Sequence, residues 1–201
     1  MRLVHLPKYG PVHRFADYHV YRALSILSDR KRRGRKQLAD LVGLGEGSMR
    51  TIVGWMREKG LVSVKQTGVR ITNTGLEFFS TLPVHVKGMQ SSDISVGSCN
   101  VAVLVRGGTE DVGSGIEQRD AAIKAGADGA TTIVVKGGRL IVPTDYDLDR
   151  ENPDLASSIR DLFELKDGDV IIVGSATSRK IAEEGALAAA LELLRTQVLL
   201  V

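Results

Sequence analysis

A chain of 201 residues with 43% apolar composition can bury one large core or two small ones, and a length near 200 leans toward two domains. One cysteine, Cys99, excludes an intramolecular disulfide framework, the histidines His5, His13, His19 and His85 lack metal-ligand spacing, and no apolar run approaches the roughly eighteen residues that span a bilayer. The net charge of +3 hides a split: residues 1–90 hold 16 basic against 6 acidic side chains, a net +10, and residues 91–201 hold 11 against 18, a net −7.

Such a split fits a polyanion-binding module joined to a non-binding one, or two halves that attract each other across an interface. The opening MRLVHLPKYGPVHRF lacks the continuous apolar region of a secretory signal, so a cytosolic location is expected. From Asp17, DYHVYRALSIL places Val20, Leu24 and Leu27 on one side with Tyr21 and Ala23 flanking, the inward stripe of a helix. SDRKRRGRK follows, with five basic residues in the six positions from Lys31 to Lys36. KQLADLVG predicts a second helix with Leu38, Ala39 and Leu41 inward and Gly43 as a left-handed stop.

After LGEG comes a third helix. Met49, Ile52, Val53 and Met56 stand at i, i+3, i+4 and i+7, an apolar seam along one face, and the opposite face carries Ser48, Arg50, Thr51, Gly54, Trp55 and Arg57. Trp55 has two readings, packing under the hairpin or against the second domain. Gly60 ends the helix, LVSV and VRIT read as a hairpin around the basic turn KQTG, and NTGLEFFSTL as a helix before Pro83.

Three helices and a hairpin, two of the helices joined by a turn of about four residues, make the plan of a winged helix-turn-helix. Here the chain resembles winged-helix regulators, whose pattern is carried by Leu38-Ala39, Gly43, Ser48, Thr51, Met56, Gly60-Leu61-Val62 and Ile71-Thr72 with Gly75. The resemblance covers residues 17–82, and the whole two-domain chain looks like uncharacterised archaeal regulator-type proteins with a C-terminal domain of unknown function. On this reading Ser48, Arg50 and Thr51 meet base edges in a major groove, and Lys65, Gln66 and Arg70 lie on the wing. Arg32, Arg33, Arg35 and Lys36 meet phosphates, contacts that orient without specifying sequence. The bland alternative for the basic run is a solvated loop.

PVHVKGMQSSDISVG, residues 83–97, has no sustained period and reads as a connector with room for a short strand at Val84 and Val86. NVAVLVR predicts a strand buried on both faces. The loop GGTEDVGSG leads into the helix IEQRDAAIKAG, and TTIVV and RLIVP pair as a hairpin around KGG. DYDLDRE reads as a solvated acidic loop. Asn152, Pro153 and Asp154 open a helix that runs to about Phe163, DGDVIIVGSA is a strand, TSRKIAEEGALAAALELL a long helix, and QVLLV a terminal strand or core plug.

Two strand-to-helix loops invite anions, because helix N-termini present free N–H groups. One offers Arg106, Thr109, Gly113, Ser114 and Gly115; the other Ser175, Thr177 and Ser178, where Thr177 or Ser178 serves equally as a helix cap. A plain flexible turn is the competing reading of the first. Neither matches a P-loop or a dinucleotide fingerprint.

The expected architecture is α+β: a winged helix DNA-binding domain at 1–82, a linker at 83–97, and at 98–201 a ferredoxin-like domain, βαββαβ plus an extra helix, for effector sensing or dimerisation. A Rossmann-like mixed sheet competes, and the hairpin counts against it. The expected function is a transcriptional regulator that binds double-stranded DNA as a homodimer and takes a small anionic effector, with no cofactor, metal or catalysis. The rival readings are a small-molecule or nucleotide-handling enzyme domain fused to a winged helix, and a winged-helix protein-docking adaptor.

Overall fold

The computed structural model describes residues 15–89, 97–143 and 145–198, and the chain divides into two compact units between Leu82 and Pro83. In the first unit, α1 (Asp17–Leu27) buries Val20, Tyr21, Ala23, Leu24 and Leu27, as its stripe requires. α2 (Arg35–Val42) stops at Gly43, which takes φ 84°, and its N–H donates to the Ala39 carbonyl.

The inward face of α2 differs from the sequence expectation. Leu38, Ala39 and Val42 are buried, whereas Leu41 is 46% exposed. At about 100° per residue, the buried three share an arc that leaves Leu41 roughly a sixth of a turn outside it. α2 packs on α1 and α3 (Glu46–Glu58), and neither covers that flank.

α3 buries Met49, Ile52, Val53 and Met56, so the seam lies where the spacing puts it. Gly60, at φ 71°, turns the chain out of the helix, and β1 (Val62–Lys65) pairs antiparallel with β2 (Gly68–Ile71), matching Val62 to Ile71 and Lys65 to Gly68. Arg33 adds a third rung: its N–H donates to the Val69 carbonyl at 2.9 Å and its carbonyl accepts from the Val69 N–H at 2.8 Å. α4 (Asn73–Thr81) is capped by Thr72, whose hydroxyl oxygen accepts from the Gly75 N–H at 3.0 Å.

The second unit holds a six-stranded, wholly antiparallel sheet in the order β3-β4-β8-β5-β6-β7. These strands are β3 (Val84–Met89), β4 (Cys99–Val105), β5 (Gly129–Lys136), β6 (Arg139–Val142), β7 (Tyr146–Asp147) and β8 (Val170–Ala176). The segment read as a connector therefore begins with a full edge strand, paired to β4 from Val84↔Val105 to Met89↔Asn100. Exposed His85 and Lys87 are the polar half of that edge, as unpaired edges favour. The rest of the expected linker, Gln90–Val96, lies outside the described residues.

Helices cover both faces. Ala102, Leu104, Ile133, Val135, Ile171 and Val173 form one core with Leu155, Ala156 and Ile159 of α7 (Pro153–Leu162) and with Leu148 of the one-turn α6 (Leu148–Glu151). The other face carries α5 (Ile116–Lys124) and α8 (Arg179–Val198). A side chain at Gly174 would collide with the backbone of Ala182 and Ala186, so α8 lies directly on the sheet.

This corrects the ferredoxin-like expectation. A split βαβ is present, since β8 separates β4 from β5. A ferredoxin-like layer keeps its helices on one side of the sheet, whereas here α7 lies opposite α5. The physical reason is that β4 and β8 are apolar at successive positions on both faces, and both faces need cover. The antiparallel pairing equally excludes the Rossmann-like alternative.

Two smaller expectations change. The DYDLDRE stretch is not a solvated loop: Asp147 caps α6 by accepting from the Arg150 N–H at 3.3 Å, and Asp149 accepts from the Leu140 N–H at 2.8 Å and pairs with Arg160. The Arg160 guanidinium holds the Asp149 carboxyl below its ordinary pKa, with burial opposing. Gln197 and Val198, read as the start of a terminal strand, continue α8; residues 199–201 lie outside the described residues.

Candidate functional site

The apolar seam of α3 settles which side chains remain outward. Arg50 and Arg57 are exposed, and Ser48, Thr51, Gly54 and Trp55 are half-buried. Thr51 donates its hydroxyl to the Gly47 carbonyl at 3.3 Å, a bond within its own helix that turning the hydroxyl outward would release. Arg50 makes no side-chain hydrogen bond or ion pair among the described residues. It is the free cation of this face nearest the start of α3.

The basic loop splits into two functions. The Arg32 guanidinium donates to the Gly68 carbonyl at 2.8 Å. Arg33 meets Asp29, and this pair, with the Lys31 N–H, drives the Asp29 carboxyl far below its ordinary pKa. Two of the three arginines expected at phosphates thus have partners inside the first unit, Arg32 on the hairpin and Arg33 on Asp29. Arg35 and Lys36 are different, being exposed in the first turn of α2, which has no acidic residue there. Cations in a first helical turn oppose the helix dipole, an arrangement that a bound anion relieves.

On the hairpin, Lys65 and Gln66 at the tip and Arg70 on β2 are exposed. The register puts Val62, Val64, Val69 and Ile71 on one face, and Ser63, Lys65, Gly68 and Arg70 on the other. Lys65 and Arg70 thus share the face turned from the core.

The anion-loop residues of the second unit do not converge. Arg106 pairs with buried Asp169 at 2.6 Å and donates to the Glu164 carbonyl at 2.8 Å. The Thr109 hydroxyl donates to the Asp169 carbonyl at 3.2 Å, and the Lys166 N–H donates to the Asp169 carboxylate at 2.9 Å. Asp169 neutralises Arg106 and pins its loop, so the two side chains expected to meet a ligand are already engaged within the unit. Ser175 is buried and donates to Asn100 Oδ1 at 2.8 Å, Thr177 is exposed, and Ser178 accepts from the Ile181 N–H at 3.4 Å as a cap of α8. The pairings Val105↔Val170 and Cys99↔Ala176 put the two loops at opposite ends of the sheet.

Gly113, Ser114 and Gly115 stand apart from Arg106. Gly113 and Ser114 are exposed, and Gly115, at φ 82°, precedes α5 without a side-chain cap. Ser114 and Gly115 line a cavity of about 220 Å³ with Arg119, Thr132 and Pro143. Thr132 escapes a sequence reading, because one threonine among the strand residues TTIVV carries no sign that its hydroxyl is buried without a partner. No group of three or more His, Cys, Asp or Glu side chains able to hold a metal occurs among the described residues. No helix among them is long and apolar enough to cross a membrane.

Residues 18–86 match the family model of the CggR N-terminal DNA binding domain. That match covers α1 to α4 and the hairpin, the elements that display Arg50, Arg35, Lys36 and Lys65. Residues 96–193 match the model of a domain of unknown function, DUF4443. A solved structure, a hypothetical protein from Pyrococcus horikoshii OT3, is 28% identical over 89% of this chain and 94% of its own, with a TM-score of 0.67. No curated protein matches the chain. The chain thus joins an N-terminal segment similar to a DNA-binding domain to a C-terminal segment similar to a domain of unassigned function.

Proposed function

We propose that the protein is a sequence-specific transcriptional regulator of the cytosol, acting on double-stranded DNA as a homodimer. The first unit serves as a winged helix-turn-helix, with α3 as the recognition helix and the β1–β2 hairpin as the wing. One observation carries this reading: α3 is held by Met49, Ile52, Val53 and Met56 while Arg50 stands exposed beside Ser48 and Thr51, inside the segment that matches a DNA-binding domain model. The net +10 of residues 1–90 supplies the attraction for phosphates. A two-fold pair of such helices reads about twice the sequence of one, which is why a dimer is proposed, and the second unit is assigned dimerisation and sensing of a small anion.

Selection of duplexes from a random pool by the full chain, followed by a salt titration on the selected site, tests the function. An enriched motif is expected, with log–log affinity falling steeply between about 50 and 200 mM salt as several phosphates are neutralised. Failure to enrich any motif, or binding insensitive to salt, overturns it.

A further inference from the structure

The geometry points to an oxyanion site in the second unit, between the start of α5 and strand β5, that takes the phosphate or carboxylate head of a small metabolite. It rests on the sensing role proposed above and identifies the ligand class. Three features meet there. α5 is nine residues long, Gly115 before it supplies no side-chain cap, and Ser114, Gly115 and Ile116 line the cavity, so the first-turn N–H groups beside it lack a side-chain acceptor and carry the positive end of the helix dipole.

The second feature is independent of the helix. Thr132 is 3% exposed, its Oγ1 has no hydrogen-bond partner, and it lines the same cavity. A buried hydroxyl left unpaired is costly, and an oxyanion beside it would accept its proton. Residue 115 lies close to this hydroxyl: a Cβ there would stand 3.3 Å from Thr132 Cβ and 3.4 Å from its Oγ1, tight against the group the ligand needs.

The third is charge. Arg119 lines the cavity with its guanidinium paired to Asp120 at 2.9 Å, both side chains about half exposed, so the guanidinium can reach a ligand without an uncovering step. Glu117, the acidic residue of that first turn, lies two positions from Arg119, roughly 200° around the helix, on the side of Gly113 rather than the cavity. A volume of about 220 Å³ falls below the usual range of drug-sized pockets. It suits a phosphate or a short carboxylic acid.

The test uses the full chain and two probes, inorganic phosphate and acetate, each against chloride at matched ionic strength, with thermal midpoint and calorimetry as readouts. A rise in midpoint with either probe is expected, and the stronger probe tells phosphoryl from carboxylate. Thr132→Val keeps the shape and removes the hydroxyl; it should fold with an equal or higher midpoint yet lose at least about tenfold in affinity, since roughly 1.4 kcal/mol is tenfold. Arg119→Gln should weaken binding similarly.

No midpoint rise with either anion overturns the site. An undiminished response in Thr132→Val also overturns it, because the anion is then held elsewhere, as by the basic first unit. The sensing role is judged separately by measuring DNA affinity with and without the bound anion. Binding that Thr132→Val abolishes, with no effect on DNA affinity, upholds the site and removes the sensing role.

Discussion

Arg33 grips Asp29 through two hydrogen bonds of 2.6 Å, Nη1 to Oδ1 and Nη2 to Oδ2, beside the point where the Arg33 main chain pairs with Val69. The arginine of a basic loop is therefore a fastening of the hairpin. The pair lowers the Asp29 pKa, chiefly through the Arg33 hydrogen bond and next the Lys31 N–H. A depressed carboxylate stabilises the fold above its unfolded pKa, near 3.9, and that contribution is lost as the pH falls through the folded-state value.

Asp29→Asn should lower the thermal midpoint at neutral pH. The gap to the wild-type protein should persist down to about pH 4 and narrow only in stronger acid. Midpoints measured across that range check this, and a gap that does not depend on pH would contradict it.

Gly68 occupies φ 121°, and a side chain there would collide with the Arg33 carbonyl. Gly68→Ala should cost about 1–3 kcal/mol, the usual size of such backbone strain, and open the Arg33–Val69 rung. Hydrogen exchange at the Val69 amide reads the effect directly. Unchanged protection would mean that the rung is not fastened as described.

The packing of α2 and α3 separates two substitutions that look alike in sequence. Met56→Ala removes a fully buried side chain and should cost about 2–5 kcal/mol. Leu41→Ala, on the exposed flank of α2, should stay within about 0.5 kcal/mol. Denaturant titration measures both, and similar losses would return Leu41 to the core.

Arg50 and the pair Arg35 and Lys36 should differ in kind. Arg50→Ala should lose about 1–3 kcal/mol of discrimination between the selected duplex and a scrambled one. Arg35→Ala with Lys36→Ala should weaken both duplexes alike and lower the salt slope by about two. Fluorescence anisotropy over a salt series distinguishes them, and identical behaviour of all three residues would remove the division between reading and anchoring.

Arg106→Ala should destabilise the second unit by at least about 1.5–3 kcal/mol, the worth of a hydrogen bond to a charged group, because Asp169 is left buried without its cation. Phosphate affinity, measured by calorimetry below the unfolding range, should not change. A loss of affinity equal to that of Thr132→Val would restore Arg106 to the ligand site.

The legible parts of this molecule are those written in one stretch of chain. The seam from Met49 to Met56 follows from helical period alone, and Gly43 and Gly60 from the backbone angles a helix end needs. Leu41 misled because eight residues barely exceed two turns, too few to fix the phase of a face. β3 was half-hidden because an edge strand with His85 and Lys87 outward shows only two valines to the core. The strand order depends on pairings such as Val101↔Gly174, which no local pattern encodes. The same distance conceals the role of Arg32, whose partner Gly68 lies 36 residues away, and the orphaned hydroxyl of Thr132.

The Arg33–Val69 rung bears on how the positive charges can be deployed. The loop from Lys31 to Gly34, bridged to β2 at Arg33, cannot sway independently of the backbone that carries Lys65 and Arg70. Adjacent strands sit about 4.8 Å apart, so the main-chain positions on either side of the rung are held at a fixed separation. A shift of the loop is therefore felt at the hairpin, and the anchors of its basic residues move as one body even while their long side chains keep their own rotamers.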